Sequence, residues 1–388
     1  MLHAVAPDGQ EAAIKLARFE GETANRLRRE IATLHAVARR DPTAASWTVT
    51  VLNHGEHEGR PWMALPWYPH SLRSWVEQTA PPLPRLATAL VAASTALIRF
   101  QASGESAGQP RVHRDVKPDN FLVRATDTEL TVVLADFGGA RSESLAAPDH
   151  PSVHYTPRYG PPEQTLLRTA LPDPGVDAHA LAVTIYWCIT TREPDAKGPM
   201  VPYTRAGRRL LELQCATHLS EAEAAELGEL QRAPLPGLLD LDDMTALTDA
   251  DAQRLLAAFE DELRRDGADP GTAPALVAPL LHALRRALHP DPERRDGDLR
   301  KLVAACEGLA AALGAPRYST AAAAPTHAEP VAPPRPPDAQ FRAPTARPAE
   351  PETPVAPEPT PDRDPMAVIL AICIGLLAVV VVVRVWLG

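Results

Sequence analysis

The chain has 388 residues, 42 of them proline, and a formal net charge of −10. With 45% apolar and 23% charged residues its bulk has the composition of a folded protein, and the acidic balance argues against non-specific nucleic-acid binding, which needs a cationic surface. Four scattered cysteines (Cys188, Cys215, Cys306, Cys373) without a Cys-x-x-Cys pair exclude a disulfide scaffold and a zinc ribbon, and fit a reducing compartment.

The opening MLHAVAPDGQ lacks the basic-then-apolar pattern of a secretory leader. Strand-like runs are predicted at 11–18, 47–53 and 62–67, with a helix over 23–38. The polar stretch 54–61 (HGEHEGRP) reads as a turn between two strands. Its His54 and His57 lack further ligands, so they read as solvated residues rather than a metal site. Beyond about residue 80 the pattern is mostly helical. Ser220 with Glu223 and Thr248 with Asp251 have the spacing of capping boxes. Residues 195–272 hold 16 acidic and 8 basic side chains; a solvated helical face is the favoured reading, steering of basic partners the alternative. A small strand-rich part followed by a larger helical part predicts an α+β arrangement in two lobes, with no internal repeat.

Residues 315–365 include 15 prolines among 51, too little apolar surface for a core, and predict an extended linker. PVAPPRP contains PxxP spacing, but a plain spacer is the favoured reading. Residues 366–383 form an uninterrupted apolar run of 18, and the stretch to 387 is about the 20 residues that cross a bilayer core. The expected organisation is a working domain at 1–314, a linker at 315–365 and a transmembrane helix at 366–387, tail-anchored.

The most informative segment is VHRDVKPDNFLV, residues 112–123. It puts a carboxylate (Asp115), an ammonium (Lys117) and a carboxamide (Asn120) within six residues, ahead of an apolar strand. LADFGGAR follows, with Asp136 after another apolar strand. Phosphoryl transfer uses this combination. One carboxylate orients the attacking hydroxyl and accepts its proton, a carboxamide oxygen and a second carboxylate hold Mg²⁺, and a lysine neutralises charge on the moving group.

These motifs resemble those of the protein kinase superfamily, in particular the bacterial membrane-anchored serine/threonine kinases of eukaryotic type, over about residues 1–314. The resemblance implies a two-lobed fold (N-lobe about 1–68, C-lobe about 69–314). It makes AAIK the strand bearing the nucleotide-binding Lys15, with Glu30 as its ion-pair partner. It makes Asp115 the catalytic base, places Lys117 near the γ-phosphate, and makes Asn120 and Asp136 ligands of Mg²⁺, with Mn²⁺ as an alternative. Leu65 aligns with the gatekeeper position and Pro66 to Tyr68 with the hinge, where the Pro66 carbonyl and a Tyr68 donor face adenine. Ala13 and Leu122 would line the nucleotide's roof and floor, although core packing explains both equally well.

The same resemblance assigns Thr156 to the substrate-binding loop and Asp177, opening a helix, to anchoring of the catalytic loop. It pairs Arg295 with Glu163 and gives Arg114 the reading of a phosphate on the activation segment, with Ser142, Ser144 and Ser152 as acceptors. It implies ATP and protein Ser/Thr hydroxyls as substrates, self-association for autophosphorylation, no nucleic acid, and an inner or plasma membrane location with the catalytic domain cytoplasmic. The family's glycine-rich loop lies about 20 residues before the lysine, whereas 14 residues precede Lys15 and Gly9 sits in a turn. An upstream translation start is the favoured reading; the alternative is a membrane-anchored pseudokinase scaffold with impaired ATP handling. A small-molecule phosphotransferase of related fold is disfavoured by Lys117 and by the 156–163 segment.

Overall fold

The computed structural model describes residues 2–5, 9–104, 111–140, 156, 158–166, 173–194, 204–215, 219–233, 237–238 and 247–315. The linker beyond residue 315, the apolar run 366–387 and Ser142, Ser144 and Ser152 lie outside the described residues. The chain divides into Met1–His327 and Ala328–Gly388, and every described residue belongs to the first unit.

The first layer is an antiparallel sheet of β1 (Leu2–Val5), β2 (Glu11–Leu16), β3 (Asn53–His57) and β4 (Arg60–Pro66), in the order β1-β2-β4-β3. Helix α1 (Glu22–Arg40) covers it, burying Ala24, Leu27, Ile31, Leu34 and Val37. Those positions recur every three or four residues, the stripe of an amphipathic helix. Along β2 the side chains alternate, so Lys15 shares its face with the buried Ala13 and Ala17. That alternation directs the ammonium toward α1.

Two sequence expectations change here. Residues 47–52 do not form a strand, and only Asn53 of the expected run belongs to one: a short 3₁₀ turn (Ala44–Ser46) leads into a connector joined to the second sheet by the isolated Thr48–Leu134 bridge. Trp47 and Val49 are buried; their apolar alternation serves burial rather than edge-to-edge pairing. Residues 54–61 are not simply a turn either. His54 to His57 continue β3, and only Glu58 and Gly59 (φ 51° and 73°) make the reversal, the positive-φ pair of a tight hairpin.

The second part begins with β5 (His70–Ser71), α2 (Leu72–Thr79) and α3 (Leu83–Ala102). β5 pairs with β6 (Phe121–Ala125), which pairs with β7 (Leu130–Leu134), all antiparallel. Helices α4 (Pro162–Leu166), α5 (Pro174–Thr190), α6 (Arg205–Cys215), α7 (Glu221–Arg232), α8 (Asp249–Arg265), α9 (Ala273–Ala287) and α10 (Leu299–Ala312) follow. In α5 every residue from Gly175 to Ile189 is buried, as expected of a helix apolar all round. α3 is long and apolar enough to cross a membrane by composition, yet more than half of it is buried in the core, packed on β7, α5 and α10. Both capping boxes form, at Ser220–Glu223 and Thr248–Asp251. The first α3 amide, Leu83 N–H, donates to the buried Glu262 carboxylate of α8 at 2.6 Å, satisfying a helix-end donor that local sequence leaves orphaned.

Candidate active site

Lys15 Nζ donates to both Glu30 oxygens at 2.8 and 3.0 Å and to Asp136 Oδ1 at 3.1 Å. Thus β2, α1 and the segment after β7 meet in one ionic knot. Arg26, four residues before Glu30 on the same α1 face, lies 3.6 Å from Asp136 Oδ2. Burial alone would raise the Asp136 carboxyl, but Lys15 and Arg26 hold it down at about 2. Burial works against the Lys15 charge too, yet Glu30 and Asp136 outweigh it and raise its pKa. Burial pushes Glu30 up against the pull of Lys15.

The segment at residues 113–115 is anchored by a buried carboxylate. The fully buried Asp177 carboxylate accepts the backbone N–H of His113 (2.8 Å) and of Arg114 (2.9 Å), and the Gln101 amide at 3.2 Å. Burial pushes its carboxyl up while these donors favour its charged form. Asp177 does not open its helix. Asp173 is the N-cap, accepting from Gly175 N–H, and Asp177 lies within the first turns. The loop is bent at Arg114 (φ 71°), and Asp136 itself is left-handed (φ 60°), conformations that cost roughly 1–3 kcal/mol for such residues unless the surroundings impose them. His113 Nε2 sits 3.1 Å from the Ala135 carbonyl, and its ring meets Phe137 edge-on at 5.3 Å, so the two motifs are packed together.

Above this anchor, Asp115, Lys117 and Thr156 form a closed triangle. Thr156 Oγ1 donates to Asp115 Oδ1, and Lys117 Nζ donates to Asp115 Oδ2 and to Thr156 Oγ1, each at 2.8 Å. Asn120 Nδ2 donates to the Asp115 carbonyl and to its Oδ2 at 2.6 and 3.1 Å. Neither bond uses the Asn120 carboxamide oxygen. Ala135 N–H donates to the Asn120 carbonyl at 2.8 Å, which sets the backbones carrying Asn120 and Asp136 side by side. Glu163 and Arg295, both buried, form a two-pronged pair at 2.5 and 2.9 Å. Arg295 also donates to the His289 and Pro290 carbonyls, so all three guanidinium nitrogens donate hydrogen bonds, the kind of satisfaction that lets a buried charge pair be tolerated.

The remaining expected residues are less concentrated. Leu65 and Ala13 are buried and paired across β2 and β4. Pro66 ends β4, and Tyr68 is half-buried with the Arg124 guanidinium 4.8 Å above its ring. Leu122 is half-buried against the core. Arg114 contributes its carbonyl to Gln164 Nε2 at 2.8 Å.

Two residues escaped the sequence reading. Arg26 had a signal, the i to i+4 spacing from Glu30. Arg73 had none: its guanidinium lies 4.1 Å over Trp187 and donates to Asp119 (2.9 Å) and to the Tyr159 hydroxyl (2.5 Å), joining α2 to the 3₁₀ turn before β6 and to the segment around Tyr159.

Residues 109–228 match the family model of the protein kinase domain. No curated protein matches the chain. The match supports a protein kinase, with phosphoryl transfer to proteins and use of ATP and a divalent metal. Lys15, Glu30 and Arg295 lie outside the matched residues and join the site through geometry. The donors fit a hard divalent cation: one carboxylate (Asp136) and one carboxamide oxygen (Asn120), with waters and phosphate oxygens completing a Mg²⁺ shell. Among the described residues no group of three His, Cys, Asp or Glu side chains forms a metal cage.

Proposed function

We propose that the protein is a serine/threonine protein kinase that transfers the γ-phosphoryl of ATP to Ser or Thr hydroxyls, its own included. We further propose that residues 366–387 hold it as a single-pass protein in a cell membrane, the catalytic domain being cytoplasmic and 315–365 the tether. The Asp115–Lys117–Thr156 triangle carries the first reading. Thr156 Oγ1 already donates to Asp115 Oδ1 at 2.8 Å, the contact an incoming Ser or Thr hydroxyl would make. Asp115 there orients that hydroxyl and takes up its proton as the phosphoryl leaves the nucleotide. Lys117, 2.8 Å from the same carboxylate, is placed to neutralise the oxygens of the moving group. Lys15, fixed by Glu30, holds the nucleotide phosphates in line. Mg²⁺, when bound by Asp136 and Asn120, supplies neutralising charge to the phosphate oxygens.

The test uses the full chain in detergent, radiolabelled ATP with Mg²⁺, and a generic Ser/Thr-rich acceptor protein. Label should appear on serine or threonine of the acceptor or of the chain, and Asp115→Asn and Asp136→Asn should each remove at least 99% of it. No label with the unaltered chain, or equal label with Asp136→Asn, refutes the enzyme reading and favours a nucleotide-handling scaffold. For the membrane reading, deletion of residues 366–388 should move the protein from the membrane pellet to the soluble fraction; retention in the pellet overturns it.

A further inference from the structure

A groove of about 840 Å³ runs between α3 and α10, far from the ionic knot in sequence, with Trp47, Leu130 and Val132 forming part of its lining. Its α3 wall is one face, from Thr88 through Ala92 to Arg99, about 16 Å at 1.5 Å per residue. Its size lies in the range of roughly 300–1,000 Å³ of ligand-binding clefts. The described chain ends inside it. Gly314 (φ 60°) closes α10, and Ala315 N–H returns to the Ala310 carbonyl at 2.9 Å, the turn that reverses a chain at a helix end. Gly314 and Ala315 both line the groove.

We propose that the groove is the docking site of the chain's own proximal tether, residues 316–324 (PRYSTAAAA). Three observations favour this occupant. The segment starts at the rim, so its local concentration there far exceeds that of any separate partner. Five extended residues, at roughly 3.3 Å each, span the α3 wall. Its chemistry also matches: Tyr318 and the alanine run suit walls of Val91, Ala92 and Ala310. Glu307, exposed on the α10 wall and without an ion pair among the described residues, offers a charge opposite to that of Arg317 in the docked segment. Docking would join the tether to Trp47, whose carbonyl accepts from Leu134 N–H at 2.9 Å, two residues before Asp136. The tether would thus brace the connector leaving α1 against the strand leading to the metal ligand.

The test places photoreactive benzoylphenylalanine at position 318 of the full chain in detergent, with isotopically light and heavy chains mixed. Adducts should be intramolecular and fall within 88–99 and 307–315. Ala311→Trp, at an exposed α10 position, should fill the groove and reduce them at least fivefold. Glu307→Lys should reduce them similarly, and adding Arg317→Glu should restore them, a rescue that a fold defect would not show. Adducts elsewhere on the chain, adducts only between light and heavy copies, or insensitivity to both groove variants would overturn the proposal.

Discussion

Removing the Lys15 ammonium separates the structural role of the ionic knot from its chemical one. In Lys15→Met the Glu30 carboxylate, 1% exposed, loses hydrogen bonds of 2.8 and 3.0 Å and keeps the charge of Asp136 nearby. Stranding one member of a buried pair costs about 3–5 kcal/mol. Arg26 stays close enough to Asp136 (3.6 Å) to offset part of this, so the expected loss is about 3 kcal/mol. Adding Glu30→Gln removes the stranded charge and should recover about 2 kcal/mol of it.

Activity should behave differently. Both the single and the double variant lose the cation proposed to position the phosphates, a loss of about 10²–10³ in kcat by analogy with removing one preorganised donor. Urea unfolding followed by tryptophan fluorescence and phosphoryl transfer to a generic acceptor, on the same preparations, read the two effects. A Lys15→Met variant as stable as the unaltered chain would refute the argument from burial. Recovery of activity along with stability in the double variant would refute the chemical role.

Arg295→Met should destabilise by about 3–5 kcal/mol by stranding Glu163, and Arg295→Met with Glu163→Leu should recover most of that in the same urea assay. Thr156→Ser should retain the Asp115 contact and most of the transfer rate. Thr156→Val, similar in shape without the hydroxyl, should lower kcat while leaving the KM for ATP within about twofold. The Asp136 carboxyl, held at about 2 in the fold against about 3.9 in an unfolded chain, contributes about 2–3 kcal/mol that is present above pH 4. That contribution fades as pH falls through 2. Asp136→Asn should flatten the stability–pH curve in that window, and an unchanged acid limb would count against the ion pairs.

Much of the site was legible because its chemistry is local. Asp115, Lys117 and Asn120 lie within one loop between an apolar helix and an apolar strand, and Asp136 follows the partner strand, so residue type and spacing expose them. The capping boxes at Ser220 and Thr248 were legible for the same reason, since each joins atoms three residues apart. The 47–53 run was misread because alternation reports burial, not hydrogen-bond partners. Trp47 and Val49 are buried, but residues 47–49 meet the second sheet through the isolated Thr48–Leu134 bridge rather than a strand ladder, a decision made by a strand 86 residues away.

By itself, then, the sequence determined the α+β order, the loop chemistry, the candidate base and metal donors, and an apolar run of membrane-spanning length, all properties of short windows with their own periodicity. Only the tertiary structure decided that Lys15 is shared between Glu30 and Asp136, that Arg26 joins them, that Arg73 ties Asp119 to Tyr159, and that the chain leaves α10 inside a groove. Those facts depend on residues far apart in the chain, Lys15 and Asp136 being separated by 121 positions. Whether distant charges meet or stay solvated is settled by which helix and sheet faces bury one another, and no local pattern records that.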